Sequence, residues 1–179
     1  MNREDRELLL NIARQTIESY AKSKKIPEFY INSPELLENR GTFVSLHKNH
    51  ELRGCIGVFT SDKPLYLTII EMAVSAGFHD PRFFPVTIDE LPQISIEISV
   101  LTPMKRIYDV SEIEVGRHGI YIIKGSRRGV LLPQVAAEYN WDRDTFLDHT
   151  CMKAGLPLKC WKEEHVEIYI FEADVFGET

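Results

Sequence analysis

Residues 93–101 alternate strictly, with Ile94, Ile96, Ile98 and Val100 on one side of an extended segment and Ser95, Glu97 and Ser99 on the other. A period of two is the signature of a strand with one face in a core and the other in a polar setting. The chain is therefore committed to a sheet that needs an apolar layer against it. Two further stretches read as hairpins. Residues 42–59 fold back at the turn Lys48-Asn49-His50-Glu51, and residues 118–132 fold back at Gly125-Ser126, with Gly119-Ile120-Tyr121-Ile122-Ile123 on one arm and Gly129-Val130-Leu131 on the other. Residues 166–171 repeat the alternation as a last strand.

Helical periodicity fills the intervals. Leu9, Ile12, Ala13, Ile17, Tyr20 and Ala21 recur at helical spacing over residues 4–22, with Asn2 as the cap. Ser61-Asp62 and Pro64 open a second helix over residues 65–77, apolar nearly all round and therefore buried, which Gly77 can stop. Pro133 suits the first position of a short helix through Ala137, and Asn140 or Asp142 caps another that runs to Ala154 before Gly155 and Pro157. Hairpins with helices between them, in place of a regular βαβ series, predict an α+β fold with mixed or largely antiparallel pairing. At 179 residues, a single domain over 1–179 is expected.

A formal net charge of −6 argues against a general phosphate-backbone binder, so nucleic acid is not an expected partner. The charged start Met1-Asn2-Arg3-Glu4-Asp5 has no apolar signal-peptide core, and the most apolar helical window, residues 65–78, contains Glu71 and is too short for a bilayer. No membrane association and a cytoplasmic location are the expectations. Cys55, Cys151 and Cys160 are an odd number without C-x-x-C spacing, which speaks against a disulfide framework and a zinc ribbon and fits a reducing compartment. Cys151 falls on the apolar stripe of its helix and reads as core. The histidines form no H-x-x-x-H or H-E-x-x-H pattern, and no Gly-rich phosphate fingerprint is present, so neither a metal nor a cofactor is expected.

The chemistry concentrates in two places. Leu52-Arg53-Gly54-Cys55-Ile56-Gly57 lies in the second arm of the first hairpin, where alternation places Arg53, Cys55 and Gly57 on one face and leaves a gap beside the thiol at Gly57. Residues 78–85, Phe-His-Asp-Pro-Arg-Phe-Phe-Pro, form a loop that two prolines stiffen. After it, Thr87-Ile88-Asp89-Glu90 has capping-box spacing, with Pro92 stopping the turn. The basic tip Lys124, Arg127 and Arg128 on the second hairpin offers a docking or RNA-binding surface, or is simply a solvated tip.

Leu52-Arg53-Gly54-Cys55-Ile56-Gly57, Asp80-Pro81-Arg82-Phe83 and Leu131-Leu132-Pro133-Gln134-Val135-Ala136 together resemble the AMMECR domain family, and within it the A proteins of AmmeMemoRadiSam systems. The resemblance runs end to end, from Gly41-Thr42-Phe43-Val44 to Lys153-Ala154-Gly155-Leu156-Pro157. It implies two lobes sharing one core around a curved, barrel-like sheet flanked by helices. It also implies association with a Memo-like protein and a radical S-adenosylmethionine protein. Carried over residue by residue, it marks Arg53, Gly54, Cys55, Gly57, Asp80 and Arg82 as site positions. Three scattered cysteines do not provide a cluster site, so radical chemistry belongs to a partner.

In chemical terms, Cys55 is the nucleophile or a contact residue, with Arg53 lowering the proton affinity of the thiol and His79 a base if it folds nearby. Asp80 orients an arginine or acts as a base, and Arg53 and Arg82 bind an anionic group of an unidentified small-molecule or protein ligand, with Gly54 and Gly57 lining it. The competing readings are a small packed cysteine in a strand, a structural loop at Asp80 and Arg82, and a non-catalytic adaptor, with RNA binding a weaker alternative.

Overall fold

The structure is a computed structural model that describes residues 1–178. Helix α1 (Arg3–Ser23) starts where Asn2 accepts the Asp5 N–H on its side chain, and it ends on Lys24 in the left-handed region. The strands β1 (Thr42–Lys48) and β2 (Glu51–Val58) form the first hairpin, whose two turn residues Asn49 and His50 both have positive φ, as the twist of a two-residue connection requires. Helix α2 (Leu65–Phe78) follows, running one residue past Gly77 to a cap at His79. Gly77 therefore sits inside the helix and does not stop it. A six-residue 3-10 turn over Ile88–Gln93 carries the complete Thr87/Glu90 capping box and holds Pro92 within it. Strand β3 (Ile94–Leu101) buries the predicted Ile94, Ile96, Ile98 and Val100.

The chain then makes β4 (Lys105–Ile107), the hairpin β5 (Gly119–Lys124) and β6 (Arg127–Leu131), the helices α3 (Pro133–Glu138) and α4 (Arg143–Lys153), and β7 (Glu167–Phe171). Asp142 is the cap of α4. A last strand, β8 (Ala173–Gly177), is not evident in the sequence pattern. The expected α+β architecture is observed as two four-stranded sheets, ordered β2-β1-β3-β8 and β4-β7-β5-β6, with every pairing described antiparallel.

The described residues divide into two compact units, residues 1–101 with 174–178, and residues 102–173. Each carries its own cluster of buried apolar residues. In the first, α1 and α2 cover one face of the sheet, with Leu9, Ile12, Leu46, Ile69, Ala73, Ile96 and Ile98 buried. In the second, α3 and α4 supply Ala136, Phe146, Leu147 and Cys151 to Ile120, Ile122, Ile168 and Ile170 of the sheet. Where the chain passes between the units, Thr102 and Glu172 lie side by side, each backbone N–H donating to the other residue, to a carbonyl in one case and to the Thr102 hydroxyl in the other.

Cys151 and Cys160 are joined in a disulfide. This corrects the expectation of free thiols. Both sulfurs are buried, and the short segment after α4 is pulled onto the helix by the same contacts that bury them: Asp148 Oδ1 accepts from the Lys159 N–H and from Trp161 Nε1. Among the described residues no helix is long and apolar enough to cross a membrane.

Candidate functional site

Cys55 sits at the middle of β2, directly opposite Ser45 on β1, and Ser45 in turn lies opposite Glu97 on β3. Opposed residues share a face, so thiol, hydroxyl and carboxylate form one row across three strands on the side away from the buried isoleucines. Within that row Ser45 Oγ donates to Cys55 Sγ at 3.1 Å. The thiol is free and half-buried. Among the described residues no hydrogen bond joins His79 to it: the imidazole is exposed at the end of α2, in a T-shaped contact with the Tyr20 ring.

Asp80 reaches the same residue from the proline-bearing loop. Its carboxylate is 1% exposed and accepts the Cys55 N–H at 3.0 Å. It also accepts Arg82 Nε at 3.0 Å and Nη2 at 2.7 Å, a bidentate pair, together with the Arg82 backbone N–H at 3.1 Å. Arg82 Nη2 donates onward to the Cys55 carbonyl at 3.1 Å. Cys55 is thus held by both its N–H and its C=O. The Arg82 guanidinium, and the backbone N–H donors of Cys55 and Arg82, hold the Asp80 carboxyl far below the usual carboxylate range against the opposing effect of burial. The carboxylate in return raises the proton affinity of Arg82.

Arg53 goes elsewhere. The register slips between Leu46, which faces Gly54, and His47, which faces Leu52, so Arg53 is the extra residue of a bulge and strict alternation fails at this position. Its Nε and Nη2 each lie 3.1 Å from a Glu90 oxygen, while Lys48 donates to the same carboxylate at 3.0 Å. Hydrogen bonding from Arg53 first, then from the Thr87 N–H and Lys48, lowers the Glu90 carboxyl to about 2 although burial opposes this. The expected Arg53–thiol neighbourhood is replaced by a clamp between β2 and the Thr87–Glu90 turn. Arg53 Nη1 is buried without a hydrogen-bond partner among the described residues.

The two glycines have steric reasons. A Cβ on Gly54 would stand 2.2 Å from the Ala76 carbonyl oxygen, so only glycine lets β2 press this closely on α2. A Cβ on Gly57 would stand 2.2 Å from the Phe43 ring, which occupies the space expected to be open beside Cys55. Ser45, Phe43 and Glu90 were absent from the predicted set. Counting back through the hairpin turn would set Val44 opposite Cys55 and Thr42 opposite Gly57, so the bulge that diverts Arg53 also hides Ser45 and Phe43 from the sequence. Glu90 was visible as a cap, with nothing in its spacing to announce Arg53. Among the described residues no group of three or more His, Cys, Asp or Glu side chains is placed to hold a metal ion.

Residues 10–176 match the AMMECR1 family. A protein of Methanopyrus kandleri is 46% identical over 184 residues, covering 98% of this chain and 89% of its own. One from Methanocaldococcus jannaschii is 46% identical over 177 residues, covering 93% and 87%. The crystal structure of an uncharacterised protein from Pyrococcus horikoshii has a TM-score of 0.86 at 41% identity, covering 99% of this chain and 93% of that one. The motif strand, its clamped cysteine and the end-to-end agreement in sequence and fold therefore have one source: this chain belongs to the AMMECR1 family.

Proposed function

We propose that the Cys55, Asp80 and Arg82 cluster is a preorganised thiol site that binds an anionic ligand, with Cys55 as the nucleophile or ligand contact. The observation that carries this reading is the double grip on Cys55, whose N–H is taken by Asp80 and whose C=O is taken by Arg82. Holding a reactive group in place before the ligand arrives is how a site lowers the entropy lost on reaction. Asp80 serves in the orienting role, since a carboxylate accepting four hydrogen bonds is a poor proton acceptor. Arg82 presents the remainder of its guanidinium outward as the anion contact, Arg53 fixes β2 through Glu90, and Gly54 and Gly57 act as spacers that admit Ala76 and Phe43.

In the same proposal this activity works beside a Memo-like protein and a radical S-adenosylmethionine protein in the cytoplasm, with residues 1–179 acting as one AMMECR-type domain, a reading supported by the sequence resemblance to AmmeMemoRadiSam A proteins. The test is complementation of operon-dependent growth or product formation by Cys55→Ser and Arg82→Ala. Loss with both, in chains that melt at the parental temperature, supports the thiol site. Full activity of Cys55→Ser would sink it.

A non-catalytic adaptor is the second reading, and Phe84 favours it. This ring is 89% exposed in the loop that also carries Asp80 and Arg82, the position of an anchor for a protein partner. An adaptor predicts that Phe84→Ala abolishes partner pull-down while Cys55→Ser leaves it intact.

A further inference from the structure

The second sheet has two unlike faces. Ile120, Ile122, Ile168 and Ile170 meet α3 and α4. The register sets Arg106 opposite Tyr169, Tyr169 opposite Tyr121, and Tyr121 opposite Val130, so these four side chains cross all four strands in one row on the other face. The two tyrosine rings stand on the central strands with centroids 6.0 Å apart, both half-buried. Arg128 reaches from β6 to the Tyr121 hydroxyl, its Nη1 at 3.4 Å.

The cations around this row differ in what they have to give. Lys124 is paired with Glu163, Arg127 donates to the Gly155 carbonyl, and Arg106 is paired with Glu167 at 3.0 Å while lying over the Tyr108 ring. Arg128 is exposed, and among the described residues no carboxylate takes it. A guanidinium that no carboxylate neutralises, at the edge of a tyrosine pair, offers two complementary things, a flat π surface and a fork for an oxyanion.

We propose that this face of the second sheet binds a nucleoside phosphate, with the base stacked on Tyr121 or Tyr169 and the phosphate on Arg128. Aromatic rings on the central strands of an antiparallel sheet, with arginine beside them, are a general solution for holding an unpaired base. A purely apolar occupant would leave the Arg128 guanidinium with the Tyr121 hydroxyl alone and its charge unanswered. The same chemistry is offered by a free nucleotide and by a nucleotide within single-stranded RNA. The paired state of the neighbouring cations limits the electrostatic contribution to about one phosphate, so for the oligonucleotide the slope of log K against log salt should be near −0.7 and not several-fold steeper. This site is independent of Cys55.

The test is titration of the full chain with AMP by calorimetry and with a fluorescent oligoadenylate by anisotropy, at two salt concentrations. Arg128→Ala and Tyr169→Leu should each weaken binding about tenfold, whereas Arg127→Ala, whose guanidinium is tied to a carbonyl, should leave it unchanged. Saturable AMP binding with these responses assigns a free-nucleotide site, and saturation by the oligonucleotide alone assigns the RNA source. No saturable binding of either probe, or binding that Arg128→Ala does not weaken, overturns the proposal. Arg128 is an exposed hairpin residue, so its substitution keeps the test valid even if Tyr169→Leu fails to fold.

Discussion

Asp80 Oδ2 accepts the backbone N–H of Cys55 at 3.0 Å, so a loop residue 25 positions downstream fixes the centre of the motif strand. The carboxylate is buried, and among the described residues the cation that answers its charge is Arg82, itself more than half exposed. Asp80→Asn leaves the guanidinium free to rehydrate but breaks the bidentate pair, and should destabilise the first unit by about 2 to 3 kcal/mol, below the full loss of a buried pair. Urea denaturation of the two proteins checks this, and a difference within about 0.5 kcal/mol would remove Asp80 from its organising role.

Acid should weaken the fold earlier than the net charge implies. Asp80 and Glu90 both bind protons less readily in the folded chain than in the unfolded one, Glu90 down to about 2 and Asp80 lower still. Their contribution is fully present above the ordinary carboxylate range near pH 4.5 and drains away as pH falls through about 2. Denaturation midpoints measured from pH 7 downward should fall in this window, and Glu90→Gln should flatten part of the slope.

Gly54→Ala should be more damaging than an exposed glycine change. The added methyl would meet the Ala76 carbonyl at 2.2 Å, a backbone atom that moves only if α2 moves. A loss of about 2 kcal/mol or more is expected. Gly125→Ala, where a Cβ meets nothing within 4 Å, is the control, disturbed only through its positive φ. Thermal melts of the pair decide it.

Reduction should loosen the second unit. The disulfide closes a loop of nine residues' separation and is buried with α4. Cys160→Ser should lower stability by about 2 to 3 kcal/mol, and reductant should lower the melting temperature of the parent chain but not of the variant. An unchanged parental melt under reductant would show that the bond adds nothing.

Much of this was legible because it is local. The strand at Ile94–Leu101 follows from alternation, the hairpin turns from Asn49-His50 and Gly125-Ser126, and the helix starts from Asn2 and Asp142. What escaped depends on distant pairing. Arg53 was assigned to the thiol by parity, and a single bulge sent it to Glu90, 37 residues away. Gly57 was read as a gap because a sequence does not say that Phe43 stands opposite. Cys151 and Cys160 lack a recognisable spacing, and their pairing follows from the Asp148 contacts that fold the chain back on α4. Strand β8 is short and weakly patterned, and its place beside β3 is a property of the whole topology.

That placement has a consequence for how the chain comes off the ribosome. The first unit is interrupted after Leu101 and completed only from Asp174 onward, so all of the second unit is synthesised before β8 exists. Until then the outer edge of β3 exposes unpaired backbone groups, and Arg14 of α1 waits for Glu178, 164 residues later, to close its ion pair. The emerging protein should therefore acquire a finished second unit while the first still lacks its final strand, and a nascent chain truncated before β8 would carry an open sheet edge as its point of vulnerability.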